Sequence, residues 1–186
     1  MTPLFEAALE LQNLFILRQW QFCIIGGIAV LRWGEPRFTR DVDVTLLSGF
    51  GREDEFILPI LSSGYRGRIP DAAGFARRNR VLLLESPQGV PIDIALAGLP
   101  FEALMVERAS LYEFEPGCSL RTCSAEDLIV QKLFAFRARD TPDVETIVLR
   151  QRGRLDWDYI DTHLRPLAEL KEQPEIMDVF STLRRA

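Results

Sequence analysis

Asp41 and Asp43 are separated by a single valine, and that spacing has chemical consequences. In an extended strand, residues i and i+2 share a face. The two carboxylates therefore project side by side, while Val42 and Val44 turn toward the interior. Carboxylates this close repel one another unless a cation lies between them. Hard divalent cations such as Mg²⁺ take oxygen ligands, often one or two carboxylates together with phosphates. Upstream, the apolar run Phe22–Ile25 ends in Gly26-Gly27. A bare backbone where a strand hands over to a helix lets a phosphate approach the N–H groups and the positive helix end. The alternative for the glycine pair is a tight turn with no ligand. A third acid, Asp93, lies between Ile92 and Ile94 and points away from the core that they enter. If the two strands pair, all three acids gather at one end of a sheet; otherwise they are ordinary strand-end aspartates.

Further along, Lys132 is the only charge between Asp127 and Arg137. A buried lysine is costly unless paired, and otherwise its head snorkels to water. Asp140 and Asp143 read as helix-capping or ion-pairing residues. Arginines flank the first acids at Arg32, Arg37 and Arg40, and Arg66, Arg68, Arg77, Arg78 and Arg80 follow within a short span. These suit either an anionic substrate or a solvated surface. The net charge of −5 argues against a protein that coats nucleic acid. Three cysteines without zinc spacing indicate structural thiols in a reducing compartment. The one histidine, His163, lies far from the acids and is an unpromising ligand.

The elements that must position these residues follow from periodicity. Pro3 to Gln19 carries Leu4, Ala8, Leu11 and Phe15 at helical spacing. Phe22 to Ile25 is a short apolar strand, Gly27 to Trp33 a helix, and Asp41 to Leu47 a strand. Gly51 to Ser62 reads as a helix, Tyr65 to Ile69 as a weak strand, and Pro70 to Phe75 as a loop. Arg80 to Glu85 and Val90 to Leu96 form a strand pair around Pro87-Gln88-Gly89. A short helix covers Phe101 to Ala109, and short strands broken by Pro116-Gly117 fill Tyr112 to Thr122. Ser124 caps a helix that is apolar nearly all round from Leu128 to Ala138. Thr141-Pro142 starts another helix, and two more open at Asp156 and Pro174. The expected fold is α/β (α+β), a small mixed sheet with helices plus a C-terminal helical appendage. The expected division is a core over residues 1–98 and a mainly helical part over 99–186, packed as one globular unit. No secretory leader is visible, and the longest apolar run, Phe22 to Leu31, is too short to span a bilayer. A cytoplasmic protein with no membrane partner is expected.

The order strand, Gly26-Gly27, helix, Asp41-Val42-Asp43-Val44 resembles the signature of the nucleotidyltransferase fold of polymerase-β type. Ser124 to Leu133 resembles the helix that follows the core in the abortive-infection toxin-like branch. The resemblance implies an enzyme that moves NMP from an NTP to an acceptor hydroxyl, on RNA or tRNA or on a protein, releasing pyrophosphate. It implies two Mg²⁺ (or Mn²⁺) ions held by Asp41, Asp43 and Asp93, with Asp93 completing the site for the acceptor. It implies Gly26 and Gly27 at the triphosphate, Thr39 and Arg37 beside the metal site, and Lys132 reaching the triphosphate with help from Arg139. An antitoxin partner would accompany a toxin of this branch. Two other readings are a non-catalytic nucleotide- or partner-binding module that kept the fold, and a metal-dependent phosphodiesterase. The latter lacks any histidine near the acids for leaving-group chemistry.

Overall fold

The computed structural model describes residues 1–185, and these divide into two compact units. The first comprises residues 1–28 and 38–123 and is built on one seven-stranded sheet. Its strands are β1 (Phe22–Ile24), β2 (Val42–Leu47), β3 (Arg66–Gly67), β4 (Val81–Glu85), β5 (Pro91–Ala97), β6 (Ser110–Glu115) and β7 (Cys118–Thr122). Their spatial order is β3-β4-β5-β2-β1-β7-β6. β2 runs parallel to β5, and β1 parallel to β7; the remaining neighbours are antiparallel.

The period-2 pattern of the central strands decides which face is covered. Val42, Val44, Leu46, Ile92, Ile94, Leu96, Leu82 and Leu84 are all buried in one core. Helix α1 (Pro3–Leu17) lays Ala7, Ala8, Leu11 and Phe15 into it. Thr2 caps that helix, its hydroxyl accepting from the Phe5 N–H at 3.4 Å, and Pro3 occupies the first turn. Helix α3 (Asp54–Leu61) adds Ile57 and Ile60, and α4 (Ala72–Asn79) adds Ala72 and Ala76. Each large aliphatic side chain so buried contributes about 1.5–3 kcal/mol. The intervening residues of the strands, Asp43 and Asp93 among them, point to the other face. Helix α5 (Pro100–Arg108) connects β5 to β6.

The second unit comprises, among the described residues, 29–37 and 124–185. Helix α2 (Gly26–Trp33) begins in the first unit and ends in this one. It is joined by α6 (Ala125–Ala135), α7 (Asp140–Arg150), α8 (Trp157–Leu170) and α9 (Glu175–Arg185). Ser124 caps α6, accepting from the Asp127 N–H at 3.1 Å, and the Tyr159 hydroxyl donates to the buried Asp127 carboxylate at 2.6 Å. Gln151 donates to the Trp33 carbonyl at 2.9 Å, and Arg150 donates to that of Gly34, so side chains of α7 and its cap satisfy carbonyls at the end of α2.

Several expectations need correction. Pro70 to Phe75 is no loop: α4 starts at Ala72, because the Asp71 carboxylate accepts from the Gly74 N–H at 3.0 Å. Helix α6 stops at Ala135 rather than Ala138, since Phe136 turns left-handed at φ 54°. Helix α7 starts at Asp140, ahead of the Thr141 cap that the Thr-Pro pair suggests. The composition change near residue 98 marks no division of the chain. The units separate at Cys123/Ser124, because β6 and β7 extend the sheet through the parallel pairing of β7 with β1. Among the described residues, no helix is long and apolar enough to cross a membrane.

Ile94 is fully buried at the middle of β5. Ile94→Ala should lower unfolding free energy by about 2–5 kcal/mol through lost burial and a residual cavity, read from the shift of the urea midpoint at unchanged slope.

Candidate functional site

The parallel register of β2 and β5 sets Val42 beside Ile92, Asp43 beside Asp93 and Val44 beside Ile94. Partners in register project to the same side of a sheet. Asp43 and Asp93, distant in sequence, are therefore neighbours on the face opposite the core. Asp41 lies just before β2, two residues from Asp43. Its Oδ1 accepts from the Thr39 hydroxyl at 3.0 Å. The Asp93 carboxyl is held above its ordinary pKa. Burial pushes it up most, the Arg68 guanidinium pulls it down, and the negative charge of Asp41 pushes it up again. Arg68 donates to Asp93 Oδ1 as an ion pair.

The glycine pair is explained by this acid. Gly26 opens α2 with φ +60°, and a Cβ built there would lie 1.9 Å from Asp43 Oδ2 and 2.5 Å from its Cγ. At Gly27 a Cβ would lie 2.2 Å from the Thr39 hydroxyl oxygen. Both side chains occupy the volume that residues 26 and 27 leave bare. The Ile25 N–H donates to the Asp43 carbonyl at 2.9 Å, which ties the turn to β2. Asp43 and Thr39 thus pack against the first turn of a helix, whose N–H groups favour anions.

This donor set fits a hard divalent cation. It consists of carboxylate oxygens on a partly exposed face, brought side by side by the pairing of β2 with β5. Among the described residues, no three His, Cys, Asp or Glu side chains close into a cage by themselves. That is the arrangement Mg²⁺ tolerates, since it is commonly held by one or two carboxylates with substrate phosphates and water supplying the rest.

The other basic residues have partners. In the first unit, Arg66 pairs with Glu85, Arg77 with Asp54 at 2.7 Å, Arg78 with Asp71 at 3.7 Å, and Arg80 with Glu53. The arginine cluster of the sequence is thereby largely neutralised by its own acids. Arg40 lies over the exposed Phe38 ring, 5.2 Å from its centroid, just before Asp41.

In the second unit, Lys132 is 4% exposed, and its ammonium donates to Asp140 Oδ1 at 3.1 Å and Asp143 Oδ2 at 2.6 Å. Arg37 grips Asp143 with two parallel bonds of 2.6 and 2.8 Å, and Arg137 donates to Asp140 at 2.8 Å. Lys132 and Arg37 are nucleotide-binding candidates of the sequence; here Lys132 bonds to Asp140 and Asp143, and Arg37 to Asp143. A buried ammonium needs full compensation, and the α6–α7 turn brings both carboxylates to it. The ion-pairing role read for Asp140 and Asp143 is what the structure contains. Burial would raise both acids, but hydrogen bonds from Arg137 and Lys132 hold Asp140 below the ordinary carboxylate range, and those from Arg37 and Lys132 do the same for Asp143. The Arg139 side chain, from the residue that caps α7, is exposed.

Comparisons with known proteins identify the family and the fold. The family described as "Nucleotidyl transferase AbiEii toxin, Type IV TA system" matches residues 20–164. The chain belongs to this family. It is a nucleotidyltransferase, and the match spans both the acid-bearing strands and the Lys132–Asp143 segment. No curated protein matches the sequence. Solved structures share the fold at low identity. An antigenic nucleotidyltransferase-like protein from Paracoccidioides brasiliensis aligns with TM-score 0.55 at 15% identity, over 95% of this chain and 91% of that one. The antibiotic-resistance factor ANT(2'')-Ia aligns with TM-score 0.59 at 14% identity, over 90% and 92%. The lincosamide antibiotic adenylyltransferase LnuA, solved with lincomycin bound, aligns with TM-score 0.51 at 14% identity, over 76% and 94%.

Sequence reasoning left Arg68 as one arginine in a cluster. The signal that singles it out is pairing register, which the residue string does not display.

Two measurements probe this geometry. Gly26→Ala should destabilise by more than about 1 kcal/mol from its positive φ, and more again from collision with Asp43. Gly49→Ala is the control, with φ +67° but nothing within 4 Å, so only the backbone penalty applies; thermal melts of the two should differ. Asp143→Ala should cost about 3 kcal/mol at neutral pH, the lower end for breaking a buried ion pair, because Asp140 still faces Lys132. Since the native pKa of Asp143 is depressed, its contribution is present above the unfolded value near about pH 4 and fades as pH falls through the lower native value. The variant's stability should accordingly fall less steeply than wild type below that pH in urea titrations.

Proposed function

We propose that the protein transfers a nucleoside monophosphate from an NTP to an acceptor hydroxyl on RNA, tRNA or a protein, releasing pyrophosphate, and that it acts as the toxin of a toxin–antitoxin pair. The observation that carries this reading is the in-register adjacency of Asp43 and Asp93 on parallel strands, beside a helix start kept bare by Gly26 and Gly27. The family match supports the antitoxin partner and the NTP substrate.

Asp41, Asp43 and Asp93 would hold two Mg²⁺ (or Mn²⁺) ions. Such ions neutralise the charge that develops as a phosphoryl group passes between oxygens. The chain's own contributions follow from the geometry. Thr39 holds Asp41 by its hydroxyl and keeps that carboxylate oriented. The N–H groups of the α2 first turn bind phosphate oxygens. Asp93 takes the proton from the acceptor hydroxyl as that oxygen bonds to the α-phosphorus and pyrophosphate leaves. The exposed Phe38 with Arg40 over its ring offers a base-stacking surface next to Asp41. The internal pairing of the other arginines weakens any extended contact with a polyanion, so an RNA acceptor would be held at few points.

The test supplies the purified protein with α-labelled NTPs, Mg²⁺ and cell RNA or protein extract. Wild type should pass label to a macromolecule and release pyrophosphate. Asp41→Ala and Asp43→Ala, shown folded by circular dichroism, should reduce transfer about 10²–10³-fold, as loss of one electrostatic element does. Wild type that binds ATP but never releases pyrophosphate with any acceptor would replace this reading by the non-catalytic module.

A further inference from the structure

One cation already stands at the acids. Arg68 lies just past the two-residue edge strand β3, and its N–H donates to the Leu83 carbonyl at 3.1 Å. Leu83 is the register partner of Asp93, and Asp93 is that of Asp43. Arg68, Leu83, Asp93 and Asp43 therefore form a row across four adjacent strand positions on one face. Adjacent strands are about 4.8 Å apart, so the Arg68 backbone lies about 10 Å from that of Asp93. Its extended side chain crosses above Leu83 and sets a guanidinium nitrogen on Asp93 Oδ1. The pair is neither locked in a core nor fully in water: the side chains are 31% and 36% exposed. It also differs from its neighbours. Arg66, Arg77, Arg78 and Arg80 all pair with acids outside the row; Arg68 alone in that cluster pairs with one of the three.

The geometry points to Arg68 as an internal competitor for the metal. It occupies a ligand oxygen of Asp93 and gives way when a divalent cation loads. This rests on the reading that Asp93 holds metal. A monovalent guanidinium and a divalent ion cannot share one carboxylate oxygen at contact distance without strong repulsion. A metal that takes Oδ1 of Asp93 therefore requires Arg68 to swing away. The displaced guanidinium then lies beside the acids, where an incoming triphosphate brings negative charge. Free metal binds weakly under this scheme, and metal delivered with nucleotide binds well. Arg68 is thus a positioning residue that acts through Asp93.

The experiment titrates Mn²⁺ alone into the full chain, by calorimetry and by electron paramagnetic resonance of the free ion. Wild type is compared with Arg68→Ala, Arg68→Lys, Asp93→Asn and the Arg68→Ala/Asp93→Asn double variant. Arg68→Ala should bind Mn²⁺ up to about fivefold more tightly, the scale set by one partly exposed ion pair. Arg68→Lys, which keeps the charge, should fall between it and wild type. Asp93→Asn should weaken binding, and the gain from Arg68→Ala should vanish in that background. Arg68→Ala that binds Mn²⁺ equally or more weakly, while Asp93→Asn still weakens it, overturns the inference and leaves the metal reading intact. A merely structural arginine would give that weaker binding with a lowered melting temperature. Asp93→Asn that binds Mn²⁺ like wild type removes the metal from Asp93, and both readings fall together.

Discussion

The closest constraint in the first unit is steric. The Asp43 carboxylate lies against the Cα of Gly26, inside the volume that any side chain would fill. One residue on, Thr39 does the same at Gly27. These two approaches bring β2, the segment before it and the start of α2 together without intervening atoms. They also explain why a strand ends in two glycines. A helix start and a carboxylate would ordinarily be set apart by at least one methyl group; here they are adjacent.

Around this contact, the sheet supplies alignment. β2 and β5 are central and parallel, flanked by β4 and β1, and their apolar residues alternate with the acids. The same alternation that sends Val42, Val44, Ile92 and Ile94 into the core sends Asp43 and Asp93 out. The second unit solves a separate problem with different means. Buried Lys132, Asp140 and Asp143 satisfy one another, and Arg37 and Arg137 cover the two acids from the solvent side. Each acid there receives more than one cationic donor, so the lysine is not left uncompensated.

Much of this was readable from residue order. The acids, the glycine turn, the strand pair around Gly89 and the capped helix at Ser124 all follow from local pattern and local chemistry, and the family match agrees with the resemblance drawn from them. What escaped is non-local. Nothing near Arg68 in the chain announces Asp93, because their meeting depends on two strand pairings at once. The carboxylate partners of Lys132 follow on another helix, and the left-handed Phe136 that turns the chain back has no glycine to mark it. The edge of the first unit at Cys123 is hidden for a similar reason. A composition change cannot reveal that a later hairpin returns to pair with β1.

The alternation of apolar and acidic residues on β2 and β5 has a further consequence. Sliding one strand past the other by a single position would drive carboxylates into hydrocarbon and strand isoleucines in water. A chain that misaligns there is rejected by solvation before it can bind anything. Correct assembly and chemical competence are thus judged by the same error check, and a partly active misfolded form has nowhere to persist.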